Sequence, residues 1–239
     1  MNNSPNTKIV ILIPCLNEEI TIGKVIRDFQ AAIPEAEIIV FDNNSTDRTA
    51  AIALEFGAKV IEETRPGKGY VVSSMFRKVE ADYYVLVDGD DTYSAEHVRQ
   101  LLEPVMEDRA DMAVGARLAE YTDKSFRPLH VFGNNLVRKL VNWIFDNKLT
   151  DIMSGYRAYS RELVQSIPIL STGFEVETEM TIRILDYGLK KYRCLTGNVR
   201  RVLNQNYVLF TTDSEYLQKS LGSQKPTNLL LFLDLSDWL

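Results

Sequence analysis

The chain has 239 residues, 45% hydrophobic and 25% charged, which suits one large globular domain with a sizeable core. Its 27 Lys and Arg against 33 Asp and Glu give a net charge of −6 with no basic stripe, which argues against nucleic acid as a partner. Cys15 and Cys194 lie far apart without metal-ligand spacing, the N-terminus lacks an apolar leader, and no apolar run approaches the roughly 20 residues of a membrane span. The expected location is cytoplasmic, with no transmembrane helix in this chain.

Residues 1–7 read as a disordered tail. Residues 8–14 (KIVILIP) predict a strand buried on both faces and ended by a proline, which cannot donate to a ladder. Asn17 is placed to cap the following helix, with Glu18 and Glu19 complementing its dipole. Ile22, Val25, Ile26 and Phe29 recur at helical spacing. Residues 37–41 predict a strand that ends in a polar cluster, Asp42 to Asp47; a helix over 48–56, closed by Gly57, and a short strand over 58–61 follow. This β-α-β-α-β order predicts a parallel sheet with right-handed crossovers.

Pro66-Gly67-Lys68-Gly69 precedes a helix over about 71–80, and glycines flanking a lysine at a helix N-terminus suit an anion. The spacing is not that of a Walker loop, and there is no GxGxxG. Residues 83–87 run as an apolar strand into Asp88, Gly89, Asp90 and Asp91. Carboxylates just past a central strand lie where open α/β sheets bind ligands. Gathering them is costly without a cation, and an oxygen-only set suits Mg²⁺ or Mn²⁺ shared with a diphosphate. A polar turn, with Ser94 capping a helix from Ala95, is the plainer alternative.

A strand over 110–115 ends at Ala116-Arg117. Residues 126–145 carry an apolar face from Leu129 to Phe145, flanked by basic residues and Trp143; a helix packed on the sheet and a helix lying in a membrane interface both fit. Residues 150–157 and a loop lead to 173–180, which opens a helix to about 187. The acids Glu175, Glu177 and Glu179 read as a dipole-matched, solvated face.

Seven stretches in register, IPCLNEE, VFDNNSTDRT, PGKGY, VDGDDTY, VGAR, DIMSGYRAYS and GFEVETEM, resemble a family 2 glycosyltransferase of the GT-A fold. The resemblance is to enzymes that move a sugar from a nucleotide-sugar to a polyprenyl phosphate, and it covers residues 8–189. It implies an α/β fold with a mostly parallel sheet flanked by helices. It also implies a nucleotide-sugar donor, a polyprenyl-phosphate acceptor, Mg²⁺ or Mn²⁺, and peripheral contact with the inner face of the membrane. Position by position, it implies that Pro14, Leu16 and Glu18 line the nucleoside pocket and that Val40 and Asp42 read base or ribose. Lys68 lies near the phosphates, Asp88, Gly89 and Asp90 form the DxD element with Asp88 and Asp90 as metal ligands, and Arg117 contacts the diphosphate. Asp151, Arg157 and Asp91 form the expected catalytic group, with Asp151 as general base for a hydroxyl acceptor and Arg157 holding an acceptor phosphate. Transfer to a glycan or small hydroxyl acceptor, or donor binding with impaired turnover, remain alternatives.

Residues 190–239 depart from the family, which continues with an R-x-x-G-x-S-K-like segment. Synonymous codons exist for residues 198–207 whose shifted frame reads RPEGSESKL, so the expectation is a frameshifted, poorly ordered tail after an intact 8–189 domain. Sequencing the gene across the codons for residues 189–201 tests this: an open alternative frame encoding that segment is expected, and stop codons in it would overturn the idea.

Overall fold

The computed structural model describes residues 7–115, 139 and 153–186, with the backbone of 207–210. In chain order the elements are β1 (Ile9–Cys15), α1 (Ile22–Ala32), β2 (Glu37–Asp42), α2 (Thr49–Glu55), β3 (Lys59–Glu62), α3 (Lys68–Lys78) and β4 (Tyr83–Leu86). A 3-10 turn (Ala95–His97), α4 (Val98–Met106), β5 (Met112–Gly115), β6 (Arg157–Ser160), α5 (Arg161–Ser166), α6 (Val176–Asp186) and β7 (Tyr207–Phe210) follow.

The apolar run of β1 behaves as its composition demands. Ile9, Ile11 and Ile13 enter one core with Ile22, Val25, Ile26 and Phe29 of α1, Ala53 of α2 and the apolar face of α4. Val10 and Leu12 enter a second core with Val71, Val72 and Met75 of α3, Leu163 of α5 and Met180 of α6. Alternate residues of a strand point to opposite faces, so a sheet covered on both sides needs apolar residues at every position. Each fully buried isoleucine contributes about 1.5–3 kcal/mol. The result is a sheet between two helical layers.

The strand order is β3-β2-β1-β4-β6-β5-β7. β3, β2, β1 and β4 are mutually parallel, in the register Ile11 with Ile38 and Val85. β6 then runs antiparallel between β4 and β5, which restores β5 to the direction of β1 to β4, and β7 pairs antiparallel with β5. Five of the seven described strands therefore share one direction, and the sheet is mostly parallel.

Two expectations change. β6 and α5 occupy residues read as loop, because Arg-Ala-Tyr-Ser has no apolar run and is made a strand by ladders on both sides. Asn17 does not cap α1: Thr21 stands at the N-cap without a side-chain bond to the helix amides, and α1 has no acid in its first turn. Ser94 does cap as expected, accepting from the Glu96 amide at 3.3 Å. The expected helix within 126–145 lies outside the described residues except for Lys139, and most of 190–239 lies outside them as well. No helix among the described residues is long and apolar enough to cross a membrane.

Among the described strands β7 is the edge beside β5, four residues long, and removing it uncovers the outer edge of β5. Truncation after Lys191 is expected to speed amide exchange over Met112–Gly115 while β1 to β4 stay protected. Unchanged exchange across β5 would mean that its pairing with β7 does not form in solution.

Candidate active site

The parallel strands reverse their order of addition at β1: β2 and β3 extend the sheet to one side, β4 to the other. Such a switch point opens a crevice beyond the carboxyl ends of the strands. The loops after β1, β2 and β4 meet there, and side chain to backbone bonds hold them. The Asn17 amide donates to Ser45 Oγ at 2.9 Å, and Asn17 Oδ1 accepts from the Thr46 amide at 2.8 Å. The Glu18 amide donates to Thr49 Oγ1 at 2.7 Å, and Glu19 accepts from the Arg48 amide at 3.0 Å. Asn17 (φ 59°) and Asn44 (φ 65°) take left-handed turns, which asparagine tolerates better than most residues.

Asn43, passed over in the sequence, ties the second loop to the third. Its side-chain amide donates to the carbonyls of Glu63 and Arg65 at 2.7 and 2.8 Å, while its carbonyl accepts from the Gly67 amide at 2.9 Å. Glu63, buried at the end of β3, is clasped by Arg65 Nε at 2.8 Å and Nη2 at 3.0 Å.

Asp42 is buried at the end of β2; one oxygen accepts from the Ser45 amide at 3.3 Å. Its other oxygen, Oδ1, has no hydrogen-bond partner. A buried acceptor left unpaired is costly, and a donor on a ligand at this strand end would relieve it.

Lys68 Nζ lies 2.6 Å from Asp88 Oδ1 and 2.6 Å from Glu177 Oε1. Burial pulls the lysine pKa down, but Glu177 and Asp88 outweigh it and hold the ammonium well above its usual range. Asp88 also packs against the Gly155 backbone, where a Cβ would overlap its carboxylate. Asp90 stands exposed beyond it, with Oδ1 accepting from the Thr92 amide at 3.0 Å. Gly89 is buried, and a Cβ there would meet Cys15 Sγ at 2.7 Å. Its carbonyl accepts from Thr21 Oγ1 at 2.7 Å. Glu18 faces this group: burial raises its pKa, Thr21 opposes, and Asp90 and Asp88 add to the rise. Leu16 is exposed and Pro14 half-buried on the same rim.

Among the described residues no group of three or more His, Cys, Asp or Glu can hold an ion by itself. The donor set fits a cation shared with a diphosphate, since such ions take one or two protein carboxylates and complete their shell from phosphate and water. Asp90 offers the open carboxylate, with Asp88 behind it.

Four expectations are corrected. Val40 is fully buried in the core with α1, so it cannot read a base from the crevice. Arg157 is also fully buried: Nε donates to the Ser154 carbonyl at 2.8 Å and Nη1 to Thr181 Oγ1 at 3.1 Å, which turns its fork to protein acceptors rather than to an acceptor phosphate. The Asp91 carboxylate is taken by Lys24 of α1 at 2.6 Å, an anchoring pair at the rim. Gly67 and Gly69 serve close packing rather than an anion: a Cβ at either would strike the backbone of Ser171 or Thr172, and the Gly69 amide donates to the Thr172 carbonyl at 3.1 Å. Arg117 and Asp151 lie outside the described residues.

The acids of α6 are no solvated face either. Glu177 and Glu179 are both buried. Glu179 accepts from the amides of Leu170 and Ser171 at 3.0 and 2.7 Å and pairs with Arg183 at 2.6 Å. Burial raises its pKa, but these bonds outweigh burial and lower it. Glu175 accepts from the amides of Thr172 and Gly173 at 3.0 and 2.9 Å. Dense acids beside Val176, Met180 and Ile182 were the available signal, because a helix apolar on several sides has little room for a wet face.

Comparison with known proteins agrees with this architecture. Glycosyl transferase family 2 matches residues 10–167, most of the chain. The chain belongs to that family. Protein RfbJ of Shigella flexneri is 46% identical over 122 residues, covering 51% of this chain and 95% of RfbJ. A dolichyl-phosphate hexose transferase of Haloferax volcanii is 30% identical over 159 residues, 66% of this chain and 69% of that protein. Two other Haloferax volcanii relatives are covered over only 60% and 44% of their own length. Glucosyl-3-phosphoglycerate synthase from Mycobacterium tuberculosis, solved with Mn²⁺, UDP and glucosyl-3-phosphoglycerate, superposes with a TM-score of 0.62 at 27% identity. That match covers 77% of this chain and 66% of the synthase chain. The fold is that of the GT-A glycosyltransferases.

Asn43→Ala is expected to cost about 1–3 kcal/mol by orphaning two carbonyls and an amide, read as a lower denaturant midpoint. Arg65 holds the Glu63 carboxyl down, from 4.5 to about 2, so its contribution to stability is full above the unfolded value and is lost as pH falls through about 2. Glu63→Gln should flatten the acid limb of the melting profile between those values.

Proposed function

We propose that this chain transfers a sugar from a nucleotide-sugar to a polyprenyl phosphate, with inversion at the sugar carbon and with help from a divalent cation. The observation that carries the donor half is one crevice with an unpartnered buried oxygen of Asp42 at one strand end and the open carboxylate of Asp90 at another. In this reading the Asp42 oxygen takes a hydrogen bond from base or ribose, and Pro14, Leu16 and Glu18 wall that side. Asp90, with Asp88, would hold Mg²⁺ or Mn²⁺, and the cation supplies Lewis-acid stabilisation of the departing diphosphate. Gly89 leaves room for Cys15 Sγ, and its carbonyl accepts from Thr21 Oγ1. Arg117 is proposed on the diphosphate and Asp151 as base where the acceptor is a hydroxyl. A phosphate acceptor arrives already anionic and needs a cation more than a base.

The lipid-phosphate acceptor is supported by the motif resemblance and by the dolichyl-phosphate hexose transferase among the relatives. A small phosphorylated hydroxyl acceptor is the second reading, favoured by the synthase neighbour, which has also been solved with phosphoglyceric acid. Peripheral membrane contact through residues 126–145 belongs to the first reading only.

Incubation with UDP- and GDP-sugars and Mn²⁺, offering a short polyprenyl phosphate or 3-phosphoglycerate, tests both. Product on the lipid phosphate is expected, with Asp90→Ala losing Mn²⁺-dependent UDP or GDP binding while keeping its fold. Product on phosphoglycerate alone would replace the lipid reading, and unchanged Mn²⁺-dependent binding by Asp90→Ala would remove its metal role.

A further inference from the structure

We propose that Glu177 is a positioning residue for the donor site: acting through Lys68, it fixes the orientation of Asp88 and sets how much negative charge Asp88 can offer a divalent cation. The inference rests on the donor-site reading above and adds a residue from outside the switch-point loops.

Lys68 is the first residue of α3, Asp88 follows β4, and Glu177 stands in the first turn of α6. The side chains of Lys68 and Glu177 are only 11% and 5% exposed, so their charges are held by each other and by Asp88 rather than by water. One ammonium thus serves two carboxylates at equal distance, 2.6 Å each. Neither carboxylate is fully neutralised, and the trio keeps one net negative charge. Asp88 has little room to turn, because its carboxylate packs against the Gly155 backbone, where a Cβ would overlap it. What remains of its charge is felt by Glu18 alongside that of Asp90.

Glu177 is itself fixed. The start of α6 is tied to the loop before it, through Glu179 to Leu170 and Ser171 and through Glu175 to Thr172 and Gly173. That loop lies against Gly67 and Gly69, on either side of Lys68. The backbone that carries Lys68 is therefore held against the start of α6, and the division of its charge follows from where Glu177 sits.

The consequence has a sign. Without the Glu177 charge, Lys68 falls wholly to Asp88 and opposes a cation there. Without both Lys68 and Glu177, Asp88 keeps its whole charge. Glu177→Gln should therefore weaken Mn²⁺ binding, measured in the presence of UDP or GDP by the electron spin resonance of free Mn²⁺, by about tenfold, the size of one charge-assisted contact. The double variant Lys68→Gln with Glu177→Gln leaves no buried lysine or glutamate unpaired, and it should bind Mn²⁺ more tightly than Glu177→Gln. Glu177→Asp should recover part of the loss.

Melting curves accompany each titration. A merely structural Glu177 would give losses in Mn²⁺ affinity that follow the loss of melting temperature, with the double variant no better than the single one, and this would overturn the proposal. Wild-type affinity in Glu177→Gln would overturn it too. If the wild-type protein shows no Mn²⁺-dependent nucleotide binding at all, the donor-site reading fails and the positioning role falls with it. Wild-type binding with unmoved variants removes only the positioning role.

Discussion

A buried ammonium between two carboxylates constrains everything around the crevice. Lys68 has little water within reach, so the chain has to bring it partners, and these come from the end of β4 and the start of α6. Such pairs add little net stability when compared with an apolar replacement, since desolvation consumes most of their attraction. What they impose is geometry, because breaking one strands a charge. The first turn of α3, the end of β4 and the first turn of α6 must converge to within hydrogen-bonding distance. The two layers of helices and the central sheet are the frame that allows it.

On the other side of the crevice the constraint is different in kind. The loops after β1 and β2 have no ladder of their own and are held by short polar side chains that bond each other's amides. Asn43 extends this lattice to the loop that delivers Lys68. The groups proposed to face the donor are therefore carried here on backbone stiffened by Asn, Ser, Thr and Glu. The lone oxygen of Asp42 marks where this lattice stops, and in the proposed reading a donor ligand continues it.

The parallel half of the sheet was legible because unbroken apolar runs such as residues 9–13 have few other uses, and because loops rich in Asp, Asn and Gly end them. The position of Asp88, Asp90 and Asp91 past the end of β4 was legible for the same reason. β6 was not, since a four-residue strand held by two neighbours needs no apolar signature of its own. Val40 was misassigned because strand residues alternate, and the position that faces a helix cannot also face a ligand. Arg157 and Glu177 were misread through charge: both types usually seek water, and only their partners, Ser154 and Thr181 for one and Lys68 for the other, make burial tolerable. Those partners lie close in space, and for Glu177 far away in sequence.

The packing of Gly67 and Gly69 against Ser171 and Thr172 joins parts of the chain about a hundred residues apart, and closing a loop of that length has an entropy cost that nothing local offsets. During synthesis β1 to β4 can assemble as soon as they emerge. Lys68 and Asp88 then wait as a simple pair, without their third member, until the start of α6 has been made. The crevice is therefore finished late, by a segment that belongs to neither its strands nor its rim.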